Sequence, residues 1–315
     1  MKSKLAGVGK YGVLFQFLAM GFVWGASFLF MKVALDGVSY TQIGWSREIL
    51  GALTLGIVMI VGKHRLPRER VVYLHFIVIA VTNCVIPHLL FAWAEQHVSS
   101  GLAAIYNSVT PIATAILAAV AFRVERLNRG QVVGVLVGIL GVIVIIAPWQ
   151  YTDLSGDLWG QLACIAAAVS YGVAIGYLRK FVSPKPISGT TVAFLNIGMA
   201  AAIMLVFTPF LAFGPVDLTF PVVASLVLLG AFGTGLAYIW NIAVLRAWGP
   251  TNVSTVTYLI PVVAVVLGFL VLGETLSWHE PIGAVLVLVG ILFTQQRIRL
   301  RSRAAAVAQQ QRAAN

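Results

Sequence analysis

The sequence predicts an all-α integral membrane protein: ten transmembrane helices arranged as a 5+5 inverted repeat. Three observations carry that reading. Apolar stretches long enough to cross a bilayer recur ten times along the 315 residues, the charges between them alternate in sign, and landmarks of the first half return in the second. With 60% hydrophobic and only 10% charged residues, the chain lies far from the ~25% charged composition of a soluble domain. Ten spans leave almost no sequence for a water-soluble domain.

Each span approaches the ~20 residues that a helix needs to cross ~30 Å of hydrocarbon. Span 1, Tyr11–Met31, aligns Phe17, Met20, Trp24, Ser27 and Met31 on one face. It is long and lacks a small-residue cleavage site, so it reads as a retained helix and not a cleaved leader. Span 2, Ile43–Val61, contains Arg47 and Glu48. Beginning it at Ile49 would leave about 20 Å of helix, too little for the bilayer core. The pair therefore belongs inside the outer part of the membrane, where a charge at helix-centre depth costs roughly 2.5 to 3.5 kcal/mol. Three roles are open: an anchor for an anionic group (Arg47), a proton-coupling acid (Glu48), or an interfacial pair snorkelling beside Trp45.

Span 3, Val71–Trp93, carries Pro87, whose missing N–H frees the Asn83 carbonyl beside His88. Span 4, Val98–Phe122, carries Pro111, which does the same to Asn107, with Tyr106 and Thr110 adjacent. Span 5, Val132–Pro148, spaces Gly134, Gly138 and Gly141 for close helix packing. Span 6, Leu158–Leu178, aligns Ser170, Ala174 and Tyr177, and its Tyr171 matches Trp24 of span 1 in position. Span 7, Val192–Phe213, is read from its length and apolar character. Span 8, Val222–Ile242, sets Thr234, Tyr238 and Asn241 at i, i+4 and i+7, within about 60° on a 3.6-residue period, with Gly230 on the same face. Its Gly230, Gly233 and Gly235 lie in an apolar span, so they read as close packing and not as a dinucleotide motif. Span 9, Val253–Leu272, carries Pro261, freeing Thr257, among Ser254, Thr255 and Tyr258. Span 10, Ile282–Thr294, completes the set.

Orientation follows from Lys and Arg, because basic loops resist translocation. Of the 21 basic residues, all but Lys32 and Arg47 fall before span 1, in alternate loops or in the tail. The opposite loops hold Asp36, Glu95, Asp153, Asp157, Asp217, Glu274 and Glu280. Both termini are therefore expected in the cytoplasm, in a multi-pass protein of the plasma (cell inner) membrane. External labelling of a cysteine placed at Arg301 would sink this assignment. The net charge of +11 sits in short membrane-edge loops that orient the chain and meet anionic lipid, so nucleic acid is not an expected partner. Cys84 and Cys164 both lie inside spans and imply no disulfide framework.

The two halves share landmarks. Thr110-Pro111-Ile112-Ala113 matches Ile260-Pro261-Val262-Val263, Val124-Glu125-Arg126-Leu127 matches Gly273-Glu274-Thr275-Leu276, and Gly134 and Gly141 match Gly283 and Gly290. Trp24-Gly25 matches Tyr171-Gly172. Five spans is an odd number, so the second copy enters the membrane from the other side. The expected division is residues 11–148 for the first five-helix repeat, 158–296 for the second, and 297–315 for a basic cytoplasmic tail. Many secondary transporters use such inverted repeats to alternate access to a midplane site.

Trp24-Gly25-Ala26-Ser27-Phe28 followed by Lys32, Arg47 near the start of span 2, and twice a helix with a central Pro followed by Glu-x-Leu together resemble the EamA-type transporters of the drug/metabolite transporter superfamily. The resemblance covers nearly the whole chain. It implies a 5+5 inverted-repeat bundle, a central cavity lined mainly by spans 1, 3, 4, 6, 8 and 9, and export of small organic solutes. One departure is Val124, which stands where the second copy keeps Gly273; only a change of turn is expected from it.

Polar groups inside hydrocarbon are costly and usually face the bundle interior or a wet cavity. The candidate substrate-facing residues are therefore Trp24, Asn83, His88, Tyr106, Asn107, Thr110, Tyr171, Thr234, Tyr238, Asn241, Thr257 and Tyr258. Arg47 and Glu48 are candidate anchor or coupling groups, and Pro87, Pro111 and Pro261 candidate kinks. Interhelical hydrogen bonding is the competing use of such residues. The expected function is a secondary transporter exporting amino-acid-like or amphipathic solutes, drugs among them. Gly62-Lys63-His64 does not complete a phosphate-binding loop, so ATP is not the direct drive. Glu48 and His88 could couple transport to protons; a facilitator or exchanger is the other reading. An intramembrane enzyme would need paired acids, H-E-x-x-H or an activated nucleophile, and His279-Glu280 is followed by Pro281 with no second His. A non-transporting scaffold is a third class. No cofactor and no metal are expected.

Overall fold

The structure is a computed structural model that describes residues 10–150 and 156–298. Ten helical spans follow one another in the described residues: Lys10–Ala34, Tyr40–Val61, Arg70–Ala94, Ser100–Val120, Arg129–Ile146, Asp157–Val182, Gly189–Val206, Phe220–Gly249, Val256–Leu272 and His279–Thr294. The first eight are long and apolar enough to cross a membrane, and the last two are shorter apolar helices. Lys2, Lys4, Asp153 and the tail from Arg299 onward lie outside the described residues.

Local chemistry sets the starts. Ser39 and Asn128 form capping boxes with Gln42 and Gln131, and Ser99 and Ser188 accept from the N–H groups of Leu102 and Thr191. Span 2 begins at Tyr40, so Arg47 and Glu48 lie two turns inside it. Outward faces are apolar stripes, such as Leu53, Ile57 and Ile60 of span 2 and Leu136, Leu140 and Ile143 of span 5. They are what a lipid-facing surface requires.

The pairing of spans reveals the repeat. Span 1 packs on spans 8 and 9, and span 6 packs on spans 3 and 4; span 2 packs on span 8, and span 7 on span 3. Exchanging n for n+5 turns each of these contacts into another. The 2–7, 4–9 and 5–10 pairs map onto themselves. In the 5–10 pair a Cβ on Gly134 would lie 2.6 Å from the Gly290 carbonyl, and one on Gly141 would lie 2.8 Å from the Gly283 carbonyl. These two contacts are mates, since Gly134 corresponds to Gly283 and Gly141 to Gly290. Glycine alone lets the backbones meet so closely.

Several spans are not continuous α-helix, and here the expected geometry needs correction. Span 3 widens into a π-turn at Val81–Val85, where the Ile86 N–H bonds back to the Val81 carbonyl. In that register the acceptor that Pro87 leaves without a partner is Thr82, not Asn83, and the Ser170 hydroxyl of span 6 donates to the Thr82 carbonyl at 2.7 Å. Span 8 widens at Leu228–Leu236, the matching place in the second repeat. Span 4 breaks at Ser108 and Val109 and restarts at Thr110, so Pro111 sits in a first helical turn, where its missing N–H costs little, and does not kink a continuous helix. In the second repeat the break falls at Ser254 and Thr255, and Pro261 lies within the continuous Val256–Leu272 helix.

Spans 8 and 9 are divided at Gly249, whose φ of 79° suits a residue without a Cβ. The turn after span 4 also differs from expectation. The left-handed position is Arg123 (φ 54°), matching Gly273 (φ 66°), so Val124 does not replace that glycine. The first-repeat turn simply has one more residue before its capping box.

Candidate functional site

Where the two repeats meet, close packing creates the site. A Cβ on Gly51 would lie 2.7 Å from Thr234 Cγ2, one on Gly230 2.6 Å from Leu50 Cβ, and one on Gly235 2.6 Å from Thr54 Cβ. Span 2 therefore lies directly against the π-segment of span 8. Within that segment the Ala237 N–H reaches back five residues to Phe232, and the Trp24 indole N–H of span 1 donates to the adjacent Gly233 carbonyl at 3.0 Å. The distorted helix and the tryptophan thus define one wall together.

They enclose a central cavity of about 240 Å³ lined by Trp24, Ser27, Phe28, Met31, Arg47, Asn83, His88, Phe91, Asn107, Thr110, Tyr171, Ile175, Tyr238, Thr257 and Ile260. Trp24 and Tyr238 meet edge to face with centroids 5.9 Å apart, as do Phe28 and Phe91 at 5.6 Å. Tyr171 stacks on Phe91 at 6.3 Å. The Thr110 hydroxyl, buried at the span 4 break, has no hydrogen-bond partner within the protein.

Arg47 is 8% exposed and Glu48 is 0% exposed; neither lies at the lipid-facing surface. Arg47 Nε donates to Thr234 Oγ1 at 2.8 Å. His88 Nδ1 and Glu48 Oε1 are hydrogen-bonded to each other, and Glu48 Oε2 is buried without a partner. Arg47 reaches the cavity wall, whereas Glu48 stands behind it, screened by His88.

The cavity adjoins a second one toward one end of the bundle. A vestibule of about 830 Å³ shares Thr110, Ile175 and Thr257 with it, and is lined further by Thr114, Glu125, Gln131, Arg179, Ser254, Gln295 and Arg297. This is the end where basic residues gather. The opposite, acidic end is held shut. Lys32 Nζ donates to the carbonyls of Glu95 and Val98. The Glu274 carboxylate accepts from Ser100 N–H at 2.8 Å, Ser100 hydroxyl at 2.8 Å and Gly101 N–H at 3.2 Å, binding the second repeat to the start of span 4. Its counterpart Glu125 instead accepts from Gln131 at 3.2 Å and Arg179 at 3.3 Å in the vestibule.

Eight of the twelve candidate contact residues line the cavity: Trp24, Asn83, His88, Asn107, Thr110, Tyr171, Tyr238 and Thr257. The other four do not. Tyr106 is fully buried and donates to Gln161 at 2.6 Å. Thr234 is fully buried behind Arg47. Tyr258 reaches Gln295 at 2.9 Å, near the vestibule, and Asn241 is half-buried outside the wall. The Thr234–Tyr238–Asn241 stripe assumed an ideal helix, and the π-segment, which ends at Leu236, offsets Thr234 from the face of Tyr238. Phe28, Phe91, Ile175 and Ile260 were not legible as wall residues, because apolar side chains face lipid, neighbours and cavity alike. The one available signal was Phe28 at i+4 from Trp24.

Two five-span repeats interlocked around a solute-sized cavity define a membrane transporter and not an enzyme. The chain belongs to the EamA-like transporter family, whose sequence profile matches it twice, over residues 10–147 and 158–295. It is similar to a protein of Streptantibioticus cattleyicolor named "Probable terminal-alkyne amino-acid exporter", at 27% identity over 90% of this chain and 93% of the relative. An uncharacterized transporter of Archaeoglobus fulgidus is 28% identical over 85% of this chain and 93% of its own length. YedA of Escherichia coli K12, named an uncharacterized inner membrane transporter, is 24% identical over 86% of this chain and 85% of its own. A solved crystal structure matches in fold with a TM-score of 0.62 at 19% identity, covering 91% of this chain and 98% of that one.

Proposed function

We propose that the protein exports small organic solutes, amino-acid-like or amphipathic, across the plasma (inner) membrane by alternating access, its repeats 11–148 and 158–296 exchanging conformations. The observation that carries the proposal is a central cavity that shares Thr110, Ile175 and Thr257 with a vestibule at the basic end, while hydrogen bonds of Lys32 and Glu274 tie the acidic end together. With basic loops in the cytoplasm, this state loads from inside. The name of the Streptantibioticus relative also supports export of amino acids. The buried Glu48–His88 pair can hold a proton beside the cavity and is the coupling device of this reading. Transport that keeps its pH-gradient dependence in both Glu48→Gln and His88→Ala would remove it.

Mass spectrometry of the medium tests the function. Cells making the protein are compared with cells making equal amounts of the Asn83→Leu, Tyr238→Phe variant. Solutes enriched only by the parent protein are the expected result, whereas identical media across broad coverage would refute export.

A further inference from the structure

We propose that the Arg47 guanidinium binds a carboxylate on the transported solute, so that this cavity accepts small carboxylates with an apolar tail and rejects amines lacking an acid group. This rests on the transport reading and names the substrate class of the same site. Three observations carry it.

The first is an incomplete set of partners. A guanidinium offers five N–H donors in a planar fork. Arg47 uses one strongly, Nε to Thr234 Oγ1 at 2.8 Å, and makes a weak 3.7 Å contact from Nη1 to Met31 Sδ. Thr234 in turn donates to the Leu229 carbonyl at 3.1 Å, so its lone pairs hold Nε and aim the rest of the fork at the cavity. Among the described residues, no carboxylate lies within 4 Å of Arg47. A cation this buried at membrane depth is costly unless something pairs with it.

The second observation is the position of the nearest acid. Glu48 is the next residue, yet its carboxylate is turned to His88 and contributes nothing to the wall. No Asp or Glu lines the cavity among the described residues. The wall therefore presents the guanidinium with no carboxylate against it, the nearest negative charge being Glu48 behind His88, and a second cation brought up to the guanidinium would be repelled in a medium of low dielectric. A carboxylate matches the planar fork in two parallel bonds.

The third observation is the rest of the cavity. Trp24, Phe28, Phe91 and Tyr238 supply aromatic surface around a cavity of about 240 Å³. One carboxylate and one small apolar tail fill that space.

The test uses a matched set of probes and the full-length protein in lipid nanodiscs. L-Phenylalanine, 3-phenylpropionate and 2-phenylethylamine share a ring and differ in charge. Binding is followed by tryptophan fluorescence, and passage by counterflow in proteoliposomes. Both carboxylates should bind and the amine should not. Arg47→Gln should weaken carboxylate binding at least tenfold, about 1.4 kcal/mol, and Arg47→Lys should keep part of it as a single charge without the fork. Binding of the amine as tight as that of the acids, binding of neither acid, or an Arg47→Gln affinity within threefold of the parent would each overturn the proposal. Should Arg47→Gln fail to fold, the selectivity of the parent protein among the three probes decides alone. Carboxylates that bind without crossing would leave the anchor standing and refute transport. Passage of the amine would do the reverse.

Discussion

At Trp24, a single side chain joins packing to function: its ring lines the cavity and its N–H satisfies the Gly233 carbonyl beside the π-segment. Trp24→Phe keeps the ring surface and leaves that carbonyl short of a donor, a loss of roughly 1 kcal/mol. The thermal midpoint in detergent should fall by a few degrees, and transport should fall further because the span 8 wall shifts. An unchanged midpoint would mean that another donor takes over. Arg47 was legible in the sequence because a charge inside an apolar run is anomalous, and Asn83, Asn107 and Thr257 for the same reason. Phe28 and Phe91 were not, since burying an aromatic ring has the same free energy against a neighbouring helix as against a solute. Glu48 illustrates a further limit. Sequence adjacency puts it beside Arg47 but cannot say that its carboxylate turns to His88.

The elements were legible to the extent that hydropathy and caps define them. Ten apolar runs became ten spans, whereas the π-segments at Val81–Val85, Leu178–Val182 and Leu228–Leu236 escaped notice because every face was assigned with a fixed 3.6-residue period. The π-turn of span 3 offers a sharp test. Ser170→Ala removes the donor to the Thr82 carbonyl and should cost about 1 kcal/mol of stability. In a Pro87→Ala background, the restored backbone N–H can satisfy that region itself, so Ser170→Ala should then cost little. Thermal unfolding of the four proteins in this double-mutant cycle measures the coupling, and simple additivity would refute it. At the 5–10 crossing the partners are backbone atoms that cannot yield, with the Gly290 carbonyl and Thr294 N–H 2.6 and 2.7 Å from a Cβ on Gly134. Gly134→Ala should therefore sharply reduce the yield of folded monodisperse protein, readable by size-exclusion chromatography, whereas Gly56→Ala, whose nearest contact is 3.7 Å, should not.

For the whole molecule, the repeat was legible because glycines, prolines and the Glu-x-Leu turn recur in order; which end is closed was not, since both copies of that turn read alike. The structure separates them through Glu274, which grips Ser100 and Gly101, and Glu125, which does not grip span 9. Removing the Glu274 carboxylate should cost the closed acidic end about 2 kcal/mol, roughly a thirtyfold shift in its opening. Glu274→Ala should accordingly speed labelling of a cysteine at Met31 by an external impermeant thiol reagent, in a background lacking Cys84 and Cys164. An unchanged rate would assign the closure to Lys32 instead. The Gly134–Gly290 and Gly141–Gly283 contacts behave differently from this clamp. Swapping the roles of the two repeats carries each glycine contact into the other, so the pair is even under the operation, while the clamp, present at one end only, is odd. Even contacts are the same in a state and in its mirror; odd ones must reverse. Spans 5 and 10 can thus remain a fixed keel through a full cycle, and the energy that separates the two states has to reside in odd contacts such as the one that Glu274 makes.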